Sequence, residues 1–170
     1  MKNKFSVLAA LAMGLASVSN AQNATLDNSA TASAQIVVPI SIAKGADLNF
    51  GSIIRSGAGG TVALDPSGGI ISTGVVLFTG SSALGTSPAS YTISGEAFKA
   101  YVVSLPADNA VVLNDGSGNT MKLTAFAHNA TGLFSDSPET FHVGATLNVG
   151  ANQAPGNYVS GAISVTVAYN

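Results

Sequence analysis

Residues 157–170 read NYVSGAISVTVAYN, and their alternation decides the fold. Val159, Ile163, Val165, Val167 and Tyr169 share one parity with Gly161, while Ser160, Ala162, Ser164, Thr166 and Ala168 share the other. Successive side chains of a strand point to opposite faces, so this spacing predicts a half-buried strand with its apolar row inward. It runs to the last residue, which predicts a strand that closes the structure.

The same period recurs upstream. Thr140–Val149 alternates most cleanly and predicts Phe141, Val143, Ala145, Leu147 and Val149 inward. Met121, Leu123, Ala125 and Ala127 are expected to share one face, as are Tyr101, Val103 and Leu105. Ala89–Ser94 alternates around Tyr91 and Ile93. Leu48, Phe50 and Ile54 share a parity, Thr61–Leu64 is a short strand, and Gly74–Thr79 is apolar on both faces and expected to be central. Between these runs lie turn sequences: 56–60, Asp65-Pro66-Ser67-Gly68-Gly69, the hairpin loop 114–119 and Pro155-Gly156. No stretch keeps a 3.6-residue period, and no internal repeat is evident. About nine or ten short strands predict a single all-β domain, an antiparallel β-sandwich.

Ahead of it, Lys2 and Lys4 precede an apolar run from Phe5 to Ala16, and Ser19-Asn20-Ala21 offers small residues for cleavage. Residues 1–21 therefore read as a signal peptide, too short in its apolar part to span a bilayer. The expected mature chain begins at Gln22, with 22–35 an N-terminal extension and 36–170 the sandwich. It is expected to be exported. Removing Lys2 and Lys4 leaves Lys44, Arg55, Lys99 and Lys122 against eight acidic residues, about −4 with neutral histidines. That balance offers no basic patch for nucleic acid. Charged residues are 8% of the chain against roughly 25% in ordinary soluble domains, so Ser, Thr, Asn, Gly and Ala make the surface, which suits packing into an assembly. The chain has no cysteine, so core burial or partners must hold it.

A second long alternation occupies the N-terminal side. Ala30, Ala32, Ala34, Ile36, Val38, Ile40 and Ile42 fall on even positions. Thirteen residues would span roughly 43 Å as a strand. Pro39 cannot donate to a ladder, so the run is an edge strand, bends there, or divides. Burying Ile36, Val38, Ile40 and Ile42 would contribute at most ~6–12 kcal/mol. Alternatively, Ala30–Val38 pairs with another molecule. The candidate assembly residues are Ala30, Ala32, Ala34, Ile36 and Val38 on this side, and Ile163, Val165, Val167 and Tyr169 on the last strand.

Chemistry is sparsely signalled. His128 and His142, the only histidines, take outward parity and read as surface residues, without the spacing of a zinc site. No serine sits in a nucleophile elbow, and no close pair of acids suggests a glycosidase. Asp115–Asn119 lacks most calcium ligands and reads as a turn. Asn23 and Asn129 open N-x-T triplets. The four tyrosines read as core and strand-end residues. Neither catalysis, a cofactor nor a metal is expected.

Several pieces follow one another in order: Leu48-Asn49-Phe50-Gly51-Ser52-Ile53, Gly59-Gly60-Thr61-Val62, Phe141-His142-Val143-Gly144-Ala145-Thr146-Leu147, and Gly156-Asn157-Tyr158-Val159-Ser160-Gly161. With the ending Val165–Asn170, this set resembles the bacterial domain-of-unknown-function family 4402 over nearly all of the mature chain. Two residues rather than one separate Tyr158 from Gly161, which predicts a small bulge. The family resembles exported fimbrial subunits and spore-coat-U-like proteins, which implies that the sandwich is Ig-like (pilin-like). That resemblance implies a periplasmic, cell-surface or fimbrial location in a Gram-negative bacterium, copies of the chain or related subunits as partners, and a periplasmic chaperone and outer-membrane usher. Three functions follow: a non-enzymatic adhesive or structural subunit of a fibre or coat, joined by strand addition; a self-complete monomer binding a glycan or surface protein through its loops; or a secreted hydrolase on a β scaffold.

Overall fold

The computed structural model describes residues 30–170, so the expected signal peptide lies outside the described residues. The chain separates into two units between Gln35 and Ile36. Of the first, Ala30–Gln35 are exposed and form no strand.

The second unit is all-β, with no helix among the described residues and fourteen strands. They are β1 (Ser41–Ala46), β2 (Asn49–Phe50), β3 (Ile53–Ile54), β4 (Gly60–Leu64), β5 (Ile70–Thr73), β6 (Val76–Leu77) and β7 (Thr86–Ser87). Then come β8 (Ala89–Ser94), β9 (Tyr101–Ser104), β10 (Val112–Asn114), β11 (Thr120–His128), β12 (Glu139–Val149), β13 (Val159–Ser160) and β14 (Thr166–Tyr169). More strands form than the nine or ten expected, because turns cut several runs into two-residue pieces.

The antiparallel main sheet is built around β12, the longest strand, in the order β1-β8-β12-β11-β10-β13. One edge of β12 is shared. Its first half, through Val143, pairs with β8, and its second half, from Ala145, pairs with β4, which carries β5. Gly144 sits at the handover, where a Cβ would drive into the carbonyl oxygen of Leu64. Glycine is required there by close backbone approach, not by turn geometry. The facing layer is three separate two-stranded ladders, β14-β9, β2-β7 and β3-β6.

Two apolar clusters fill the space between the layers. Val62, Leu64, Leu123, Leu147 and Val149 meet Phe50, Ile53 and Leu77 in one. Ile93, Phe141 and Val143 meet Tyr101, Phe134, Val167 and Tyr169 in the other. All five expected inward residues of β12 are buried. Phe141, Val143, Leu147 and Val149 together contribute at most ~6–12 kcal/mol. Tyr101 and Phe134 pack at 4.5 Å between ring centroids, and Phe134 and Tyr169 meet edge to face at 5.7 Å.

Four expectations of parity fail, each where the backbone leaves the regular strand. The pairing of β11 with β12 shifts register between Thr124 and Ala127, with Ala125 at φ 49°. This bulge exposes Ala125 and Ala127, turns Phe126 inward, and brings the exposed His128 edge-on to Phe141 at 6.2 Å. Gly51 at φ 76° divides β2 from β3, so Ile54 does not inherit the parity of Phe50 and is 50% exposed. Gly74, also at φ 76°, sets off a run expected to be central; only Val76–Leu77 pairs, with β3, and Val76 and Phe78 are exposed. The last strand is not continuous: β13 and β14 belong to different ladders, and Val159, expected inward, is 59% exposed.

Candidate functional site

The break between β13 and β14 borders an open groove of about 930 Å³. Its floor is the inner face of the main sheet: Ala89 and Tyr91 from β8, Leu113 from β10, Met121 from β11, and Leu147 and Val149 from β12. One wall is the run Leu48–Ile53, and the other is Gln153–Ile163.

Each wall is set by local chemistry. Lys44 Nζ binds Asp47 Oδ1 at 2.6 Å where the chain leaves β1, a contact that holds the ammonium above its usual pKa. The pair is fully exposed, so it adds little to stability. Asn49 Oδ1 accepts the Gly51 N–H at 2.9 Å in the turn between β2 and β3. On the opposite wall the Tyr158 hydroxyl donates to the Ala154 carbonyl at 2.8 Å and accepts from Gln153 Nε2 at 2.9 Å, pinning the Pro155-Gly156 turn. Beyond it, Val159 and Ser160 pair with Asn114 and Leu113 of β10. Thr166 then starts the β14-β9 ladder. Between them, Gly161–Val165 joins no ladder among the described residues, although Ile163 and Val165 keep the inward parity of a strand. The run is exposed or half-buried, so its backbone groups face outward unladdered, and beside an apolar floor such an edge is a place for an added strand.

The groove also bares β1. Ile42 pairs with Ile93 and Lys44 with Tyr91, which places both on the inner side of the sheet. All six residues of β1 are nevertheless exposed, Ile42 at 41%. Burial raises the pKa of the Tyr91 phenol.

The expected assembly residues divide. Val167 and Tyr169 lie on β14 and Ile163 and Val165 on the unladdered run just before it, all half-buried against the two clusters, with Ile163 lining the groove. Ala30, Ala32, Ala34, Ile36 and Val38 form no strand, and every residue from Ala30 to Pro39 is exposed, Ile36 at 95% and Val38 at 54%. The thirteen-residue strand expected from Ala30 to Ile42 is not formed; pairing begins only at Ser41, beyond the proline that cannot join a ladder. The Leu48–Ile53 wall and the polar contacts at Val38, whose carbonyl accepts the Tyr169 hydroxyl at 2.6 Å, were not anticipated as a site. Gly161 within the apolar row, and the extra residue between Tyr158 and Gly161, were the signals for the gap.

No group of three metal-ligating side chains occurs among the described residues. Asp115 Oδ1 accepts the N–H groups of Ser117 and Asn119 and Oδ2 accepts Asn119 Nδ2, so hydrogen bonds within its own turn hold its pKa down. Asn129 Oδ1 accepts the His142 N–H at 2.7 Å. No described helix is long and apolar enough to cross a membrane.

The family model described as Domain of unknown function (DUF4402) matches residues 40–169. The chain belongs to that family. No curated protein and no solved structure matches it. The match takes in both groove walls and all fourteen strands, and begins just after the exposed run Ala30–Pro39.

Proposed function

We propose that this member of the family is an exported, non-enzymatic structural or adhesive subunit of a fibre or coat on a Gram-negative cell, assembling by β-strand addition. The observation that supports it is the groove: an apolar floor bordered by the unladdered run Gly161–Val165. An extended segment entering there would add backbone hydrogen bonds to that run and place alternate apolar side chains on Tyr91, Met121, Leu147 and Val149. Its source is a copy of the chain or a related subunit, and a periplasmic chaperone would cover the groove until an outer-membrane usher brings the next subunit. A surface poor in charge fits this use. The test is to shear the native cell surface and run the extract in detergent, unheated and heated. The expected result is a ladder of multiples that collapses on boiling to one band of mature size; a single band in both lanes overturns the proposal in favour of a self-complete monomer.

A further inference from the structure

We infer that a polar cavity on the outer face of the main sheet binds a carboxylate-bearing sugar. Such a site rests on the adhesive role proposed above and supplies its ligand class, and it does not require the groove to be filled.

The cavity, of about 280 Å³, lies where β11 begins and β12 ends, and five polar side chains line it: Asn109, Thr120, Lys122, Asn148 and Gln153. Met121, Leu123, Leu147 and Val149 are buried on the inner face of these strands. Thr120, Lys122 and Asn148 alternate with them and so take the outer face. The volume falls just below the usual range of ligand pockets, about 300–1,000 Å³, and suits a single sugar ring.

The amides are fixed before any ligand arrives. Asn148 Nδ2 donates to the Lys122 carbonyl at 3.2 Å and to Thr124 Oγ1 at 3.0 Å. A carbonyl oxygen can only accept, which sets the orientation of this amide and leaves Asn148 Oδ1 an acceptor without a hydrogen-bond partner among the described residues. Gln153 Nε2 donates to the Thr120 carbonyl at 3.3 Å and to the Tyr158 hydroxyl at 2.9 Å, while its Oε1 accepts the Gly150 N–H at 3.2 Å. Asn109 sits at φ 64°, a geometry asparagine tolerates, and its N–H donates to the Leu123 carbonyl at 2.8 Å. Its backbone is thus held while its side-chain amide enters no described hydrogen bond. Groups fixed in this way lose little freedom on binding.

Charge selects among sugars. Lys122 is one of four cations in the expected mature chain and joins no salt bridge among the described residues. No carboxylate among the described residues lines the cavity. The acids nearest in sequence are engaged: Asp108 Oδ1 accepts the Ala125 N–H at 2.7 Å, and Asp115 is bound within its own turn. An ammonium, a hydroxyl and two amides with unused hydrogen-bonding groups, unopposed by any acid, match a carboxylate flanked by hydroxyl groups, as in a uronic acid. No aromatic ring lines the cavity to stack on the sugar, so each site is weak, and a fibre that repeats it gains avidity without a new contact.

The full-length chain, expressed in the native host and sheared from the surface, would be titrated with D-galacturonic acid, D-galactose and acetate. Binding is read by saturation transfer to the ligand's own NMR signals, which serves monomer and multimer alike. We expect galacturonic acid to bind at least about tenfold more tightly than galactose or acetate, the factor that a hydrogen bond to a charged group supplies. Lys122→Gln, at an exposed position, should weaken galacturonic acid about tenfold and leave galactose unchanged. Asn109→Gly, which keeps the positive φ, should weaken both sugars about two- to tenfold. No transfer to galacturonic acid, equal binding of galactose or acetate, or variants that bind as the wild type does would each overturn the site. Assembly is read separately on the gel: a chain without a ladder overturns strand addition and leaves the sugar site to be judged by these titrations alone.

Discussion

Glu139 illustrates how a single polar residue can organise the end of this sandwich. It opens β12, and its carboxylate accepts the Tyr101 hydroxyl at 2.6 Å, the Thr131 N–H at 2.8 Å and the Thr131 hydroxyl at 2.9 Å. Partial burial pushes its pKa up, but these three donors outweigh it and hold the carboxyl below its ordinary 4.5. A carboxyl with a depressed folded pKa stabilises above its unfolded value, and that contribution disappears as pH falls through the folded one. Glu139→Gln should therefore lower stability near neutrality and flatten the acid side of the profile. Denaturant unfolding of both proteins at about pH 7 and about pH 3 reads this difference; parallel profiles would dismiss the role. No motif in the sequence marks Glu139, since Tyr101 and Thr131 reach it only through folding.

Strands kept their predicted faces wherever the backbone stayed regular and lost them wherever it did not. β12 carries its alternation unbroken through Gly144 because neighbours on both edges hold it flat. The C-terminal alternation looked equally good and was divided between two ladders, because its inward parity alone does not supply a neighbouring edge. The two elements should respond differently to truncation. Leu147→Ala, fully buried between layers, is expected to cost about 3 kcal/mol. Val159→Ala, in the same kind of alternating row but 59% exposed, should stay within about 0.5 kcal/mol. Urea unfolding midpoints at constant slope would show it, and equal losses would mean that β13 is packed after all. The bulge at Ala125 makes the same point: a one-residue register shift reverses every side chain beyond it, and alternation of small alanines gives no warning.

At the scale of the whole molecule, the exposed run and the open groove make complementary demands. The side chains of Ile36 and Val38 are exposed, so replacing both with Asp should leave the domain's melting temperature within a degree or two while abolishing the detergent-resistant ladder. A double variant that fails to fold would instead place the segment in its own core. The all-β class, the strands of the core, the turn residues and the family were legible in the sequence alone, because period-two alternation, glycine and proline act locally and need no partner to be read. Which strands are neighbours, where the facing layer stays open, and how Val38 is held were decided only in the folded chain. Each depends on backbone groups brought together from residues far apart, such as Val38 and Tyr169, and on an edge that remains unladdered only because no other strand of the described domain covers it.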